Sequence, residues 1–115
     1  MPQYAVLIYT GDSAHDLDAT KEDLAQPDGH AEALVASGSL RAAFAFTPRD
    51  MARSIRAEGV SDGPFVDAPQ VVAGVYVIEA SDWDEALRIA STDPAISGDG
   101  GLEVRLVHSG GIIDA

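Results

Sequence analysis

The stretch from Gln70 to Ala80, QVVAGVYVIEA, constrains the fold more than any other part of this chain. It is nearly continuous in β-branched and aromatic residues, the pattern of a strand covered on both faces. Gln3 to Thr10 (QYAVLIYT) is a second such run, bounded by Gly11-Asp12-Ser13, and reads as a strand near the centre of the same sheet.

The segments between and after these strands carry other periodicities. Ser13 to Ser37 is rich in Ala, Leu, Asp and Glu, and Pro27 is expected to break it into two helical pieces, the second ending at Gly38 with Ala31, Leu34 and Val35 on its apolar face. In Ser39 to Phe46, the residues Leu40, Ala42, Phe44 and Phe46 alternate onto one side, which predicts a strand with that side packed inward. The arginine-bearing MARSIRAEG suits an exposed strand, so residues 39 to 58 read as a hairpin. Ser81 is the expected cap of a helix that turns Trp83, Ala86, Leu87 and Ala90 to the sheet. Asp93-Pro94 stops that helix, and LEVRLVHS alternates as a last strand.

Strand, helix, hairpin, strand, helix, strand is the order of an α+β, ferredoxin-like split βαβ sandwich with an extra hairpin: an antiparallel sheet carrying two helices on one face. No linker or repeat divides the chain, so residues 1–115 are expected to form a single domain. Two helices cover only one face of the sheet, and the opposite apolar face is more than a soluble monomer ordinarily exposes. A homodimer packing sheet against sheet is the expected remedy.

Composition narrows the partners. Nineteen acidic against seven basic residues give a formal charge of −12, which repels nucleic acid and anionic membrane surfaces. No run reaches the roughly 18 apolar residues of a membrane span. The opening MPQYAVLIYTGD lacks a basic segment ahead of its apolar run, so no signal peptide is expected and a cytoplasmic location is. The absence of cysteine removes disulfides, thiolate nucleophiles and zinc-thiolate centres.

Several side chains are candidates for chemistry. Imidazole changes protonation near neutral pH, which makes the chain's histidines, His30 among them, candidates for proton transfer. In Val60-Ser61-Asp62-Gly63-Pro64-Phe65, Asp-Gly is turn chemistry and Phe65 a candidate anchor in the core, but a stiff turn also suits a carboxylate, Asp62, aimed into a cleft beneath the helices. Arg105 either binds an anionic substrate or forms a salt bridge. Tyr9, Phe44 and Phe46 either line a pocket or fill the core. His15 with Asp12, Asp16 and Asp18 reads as an acidic loop in preference to a metal set, and neither a phosphate loop nor a Ser-His-acid constellation is present. No metal and no cofactor is expected.

Taken in order, QYAVLIYTGD, ASGSLRAAFAFTP, VSDGPFVDAPQVVAGVYVIEA, DWDEALRIASTDP and LEVRLV resemble the YCII-related proteins of the DGPF-domain branch over nearly the whole chain. The resemblance implies a dimeric α+β barrel. It implies a functional histidine at His30 and a functional aspartate at Asp93, and a link of some relatives to alternative sigma factors. The expectation is a small cofactor-independent enzyme of lyase or isomerase type acting on a small organic molecule through His30, Asp93 and Asp62, with Tyr9, Phe46 and Arg105 as substrate contacts. The alternative is a non-catalytic module that binds a small molecule or regulates a partner.

Overall fold

The computed structural model describes residues 1–18 and 20–113, with the side chains of residues 21–28 left outside the description. Six strands and two helices follow in the order β1 (Gln3–Thr10), α1 (Lys21–Ser37), β2 (Leu40–Ala45), β3 (Arg53–Arg56), β4 (Gly59–Asp62), β5 (Val71–Glu79), α2 (Trp83–Ala90) and β6 (Gly101–Leu106). Four strands form one sheet in the order β2-β5-β1-β6, every pairing antiparallel, and β3 pairs with β4 in a separate two-stranded sheet. This is the ferredoxin-like α+β arrangement that the sequence order predicts.

The helical face of the sheet holds the core. Tyr4, Val6, Tyr76 and Ile78 from the two central strands pack with Leu34 of α1 and with Ala86, Ile89 and Ala90 of α2. Val6 and Ile78 are wholly buried, and each such side chain contributes about 1.5–3 kcal/mol by leaving water. Trp83 sits at the rim, its ring edge-on to Tyr4 at 5.0 Å between centroids. The helix α2 therefore turns Ala86, Ile89 and Ala90 to the sheet and leaves Trp83 and Leu87 half exposed, a rotation from the expected face. Its cap is Asp82 in place of Ser81: the Asp82 carboxylate accepts from the Glu85 N–H at 2.9 Å, while Glu85 Oε1 accepts from the Ser81 N–H at 3.0 Å.

Three further expectations change. First, α1 runs unbroken through Pro27. A proline interior costs about 3 kcal/mol by removing one hydrogen bond and crowding the preceding turn, and the helix beyond it is fastened to the core by Leu34, whereas Val35 faces solvent. Gly38 does end the helix, with φ +78° and its N–H donated to Val35 O. Second, residues 39 to 58 are not a hairpin: β2 pairs with β5, and the hairpin is β3–β4. Third, a bulge at Arg41 divides the alternating set in β2. Leu40 lies opposite Ile78 on the helical face, while Ala42 and Phe44 lie opposite Val77 and Val75 on the other face, where Phe44 is 64 % exposed. Arg41 itself forks onto Glu79 of β5 with two contacts of 2.9 Å, and its hydrogen bonds hold the Glu79 carboxyl below its ordinary range.

At Gly74, β5 has no room for a side chain against β2. A Cβ there would stand 2.8 Å from the Phe44 carbonyl oxygen, which is backbone and cannot swing aside. Gly74→Ala is therefore expected to destabilise the fold by about 1–3 kcal/mol, read as a lowered urea midpoint; an unchanged midpoint would contradict this packing.

Candidate functional site

A cleft of about 410 Å³ opens between α1 and the helical face of the sheet. Ile8, Leu34, Leu40 and Ala43 contribute to its apolar walls. One end is polar, and three separate elements build it. Helix spacing puts His30 one turn before Leu34, so anchoring Leu34 in the core holds His30 over the sheet. Strand alternation puts Tyr76 between Gly74 and Ile78 on the face that looks into the cleft. Asp93 comes from the connection after α2, where it caps a short 3₁₀ turn, Pro94–Ser97.

The two readings of Asp93 divide between its oxygens. Oδ1 accepts from the Ala95 N–H at 2.9 Å, a cap. Oδ2 is buried with no hydrogen-bond partner among the described residues and lies 3.7 Å from His30 Nδ1. His30 and Asp93, far apart in sequence, are thus brought together, with side chains only 11 % and 6 % exposed. The separation is that of an ion pair and is longer than a hydrogen bond.

The hydrogen bonds of Thr92 bear on which imidazole nitrogen carries the proton. Thr92 spends its single hydroxyl proton on Ile89 O at 2.7 Å. Its oxygen can only accept from His30 Nε2, 3.1 Å away. With that hydroxyl proton on Ile89 O, neutral His30 carries its own proton on Nε2, and Nδ1 faces Asp93 Oδ2.

Tyr76 completes the polar end and was not among the residues singled out from the sequence. Its ring meets His30 edge-on at 5.9 Å between centroids, and its buried hydroxyl interacts with the Asp93 carboxylate without a well-formed hydrogen bond. Burial, and next the neighbouring Asp93 charge, push its pKa well above the ordinary tyrosine value, so it remains an un-ionised donor. The signal in the sequence was a lone hydroxyl at the middle of an apolar strand, where a core aromatic explains the ring but not the oxygen. His15 also lines the cleft from the loop after β1. Among the described residues no group of three or more His, Asp or Glu is placed to hold a metal ion.

The remaining candidates lie elsewhere. Asp62 is not in the cleft: it ends β4, pairs with Arg53 at 3.3 Å and is 88 % exposed. The turn after it is built by its neighbours. Gly63 adopts φ +97°, donates to Ala52 O at 2.9 Å and accepts from the buried Ser54 hydroxyl at 2.7 Å. Phe65, expected in the core, instead stacks under the Arg56 guanidinium at 3.8 Å and is half exposed. Tyr9 and Phe46 line a different cleft, beside Pro64, Phe65 and Val72. Tyr9 reaches it by alternation from Ile8 onto the face away from the helices, and a bulge at Ala73 of β5 sets Val72 opposite it. Arg105 lies on that same face, opposite Ala5, and pairs with Glu103 at 3.0 Å.

The sequence matches the YCII-related domain over residues 3–109, and the chain belongs to that family of small α+β proteins. No curated protein was found to match it. Among the described residues no helix is long and apolar enough to cross a membrane.

The raised pKa of Tyr76 has a testable consequence. A group that holds its proton more tightly when folded adds stability fully present below its unfolded pKa, about 10 for tyrosine, and lost as pH climbs through the higher folded value. Wild-type stability is expected to fall more steeply above about pH 10 than that of Tyr76→Phe, measured by urea unfolding across alkaline pH.

Proposed function

We propose that this protein is a cofactor-independent enzyme of lyase or isomerase type that moves a proton on a small organic molecule held in the cleft under α1. The observation that carries this reading is the convergence of His30 Nδ1, Asp93 Oδ2 and Tyr76 Oη at one end of an apolar cavity. His30 Nδ1 is the base: it takes a proton from carbon next to a carbonyl, the C–H electron pair forms a carbon–carbon double bond as the carbonyl π pair moves onto oxygen, and Tyr76 donates a hydrogen bond to the charge that develops there. Asp93 stabilises the imidazolium so formed. Return of the proton at another carbon gives isomerisation, and loss of a leaving group from the neighbouring carbon gives elimination. Asp62 has no part in this scheme, because its carboxylate is solvated beside Arg53.

The test is hydrogen–deuterium exchange at carbon, followed by NMR in deuterium oxide across a panel of cyclic ketones and lactones. His30→Ala is expected to slow exchange by about 10²–10⁴-fold with an unchanged circular dichroism spectrum, and equal exchange in the variant would rule the base out. The second reading is a binding or regulatory module, with which the sigma-factor link implied by the DGPF-type turn belongs. It is favoured by the structural bonds the same side chains make, His30 to Thr92 and Asp93 to Ala95. Binding in the cleft with no exchange above the buffer rate would select it.

We also propose that two copies pack through the open sheet face as a dimeric α+β barrel. Phe44 is exposed there beside half-buried Leu7, Val75 and Val77, an apolar surface that a second copy would bury. Arg105 and Glu103 pair on the same face, which supports an interface role for Arg105 over a substrate contact. Light scattering is expected to give twice the chain mass for the wild type and a folded monomer for Phe44→Glu; a wild-type monomer at micromolar concentration would overturn the dimer.

A further inference from the structure

The His30 ring stands between two consecutive residues. Thr92 Oγ1 lies 3.1 Å from Nε2, and Asp93 Oδ2 lies 3.7 Å from Nδ1. The two sides of the ring also open on different spaces. Asp93 borders the cleft under α1, Thr92 borders a second groove between α1 and α2, and His30 borders both. Which nitrogen keeps the proton therefore decides whether the lone pair lies on the cleft side of the ring or on the groove side.

A neutral imidazole has one proton for these two neighbours. The Asp93 carboxylate draws it toward Nδ1, but 3.7 Å is longer than a hydrogen bond, and the carboxylate already has the Tyr76 hydroxyl beside it as a donor. Thr92 is made an acceptor by its place in the chain. It lies just past α2, whose last turn leaves carbonyls without helical partners. Its hydroxyl donates to Ile89 O at 2.7 Å, and its own N–H reaches the same oxygen at 3.2 Å. The hydroxyl oxygen then has only lone pairs to offer, at hydrogen-bond distance from Nε2.

We propose that Thr92 is a positioning residue: by accepting the Nε2 proton it selects the tautomer of His30 whose Nδ1, on the cleft side, takes the proton from carbon. This deepens the general-base reading of His30 and rests on it. When Nδ1 gains that proton, the imidazolium has a partner for each N–H, Thr92 at Nε2 and Asp93 at Nδ1. Neither partner has to turn as the charge forms, which is the preorganisation that favours a charged transition state. Without the Thr92 hydroxyl, the carboxylate is the acceptor that remains beside the ring. The proton then moves to Nδ1, and the lone pair leaves the cleft side.

The experiment labels the whole chain with nitrogen-15 and reads the histidine tautomers from long-range proton–nitrogen NMR spectra at about pH 9, where an ordinary imidazole is neutral. The His30 signals are assigned by their loss in His30→Ala. Wild-type His30 is expected to carry its proton on Nε2. Thr92→Val, similar in shape but without the hydroxyl, is expected to move it to Nδ1, and Thr92→Ser to keep it on Nε2. Carbon exchange with the cyclic ketones and lactones is expected to slow by about tenfold in Thr92→Val, the worth of one hydrogen bond, and to recover in Thr92→Ser. A wild-type proton on Nδ1 would overturn the proposal with no variant needed, which keeps the test intact should Thr92→Val fail to fold. An unchanged tautomer in folded Thr92→Val, or a moved tautomer with an unchanged exchange rate, would overturn it as well. Its failure is separable from that of the general-base reading. Exchange lost in His30→Ala while the Thr92→Val tautomer stays put removes only the role of Thr92. A tautomer that follows Thr92 in a protein that exchanges no carbon-bound hydrogen removes only the base.

Discussion

Everything in this fold depends on β5 having an apolar side chain on both faces of the sheet at nearly every position. Hydrogen bonding to β1 on one edge and β2 on the other makes it a central strand, and alternation then commits Tyr76 and Ile78 to the helices and Val75 and Val77 to the opposite side. One set builds the core and the floor of the cleft. The other leaves an apolar surface that the chain itself covers only in part. The site and the proposed interface are therefore two faces of one strand, and neither can shift register without moving the other.

The cleft follows from the same constraint. A strand buried on its helical face has little room for a polar atom, yet Tyr76 places one there, and Asp93 brings a second from a turn it also caps. Such an arrangement costs stability unless the groups find partners. The division of labour within Asp93 lets one residue meet both demands: one oxygen holds the backbone, and the other is held by it in a fixed position beside His30. Rigid positioning of that kind favours chemistry more than loose proximity does.

Much of the architecture was legible in the sequence because it rests on period and punctuation. β1, β5 and β6 followed from alternation or continuous apolar character, α2 from its spacing and acidic first turn, and the end of α1 from Gly38. What failed to read were features that depend on a single inserted residue or on tertiary anchoring. The bulge at Arg41 sends Leu40 and Phe44 to opposite faces although both are apolar at even positions, and no local pattern announces it. Pro27 reads as a break because the local cost is real, while the core contact of Leu34 that supports the helix beyond it is nonlocal. Within the site, His30 and Asp93 were reached by resemblance, Tyr76 was hidden in a run that strand propensity fully accounts for, and Asp62 was overvalued because turn chemistry fixes a bend but not the direction of the preceding carboxylate.

The β3–β4 hairpin and its glycine turn form a small sheet of their own, bonded to itself through Ser54, Gly63 and Arg56. Among the described residues, the hydrogen bonds that join the stretch from Arg49 to Gln70 to the loop after β1 run through Arg49, which reaches Gly11 O and Asp12 while also gathering Asp67 and Ala68 within the stretch. The stretch is in this sense a graft with a single graft junction. Its tip is free to lengthen, shorten or change composition among descendants of this architecture while the four-stranded sheet and its cleft stay as they are, so long as an arginine remains to hold the seam.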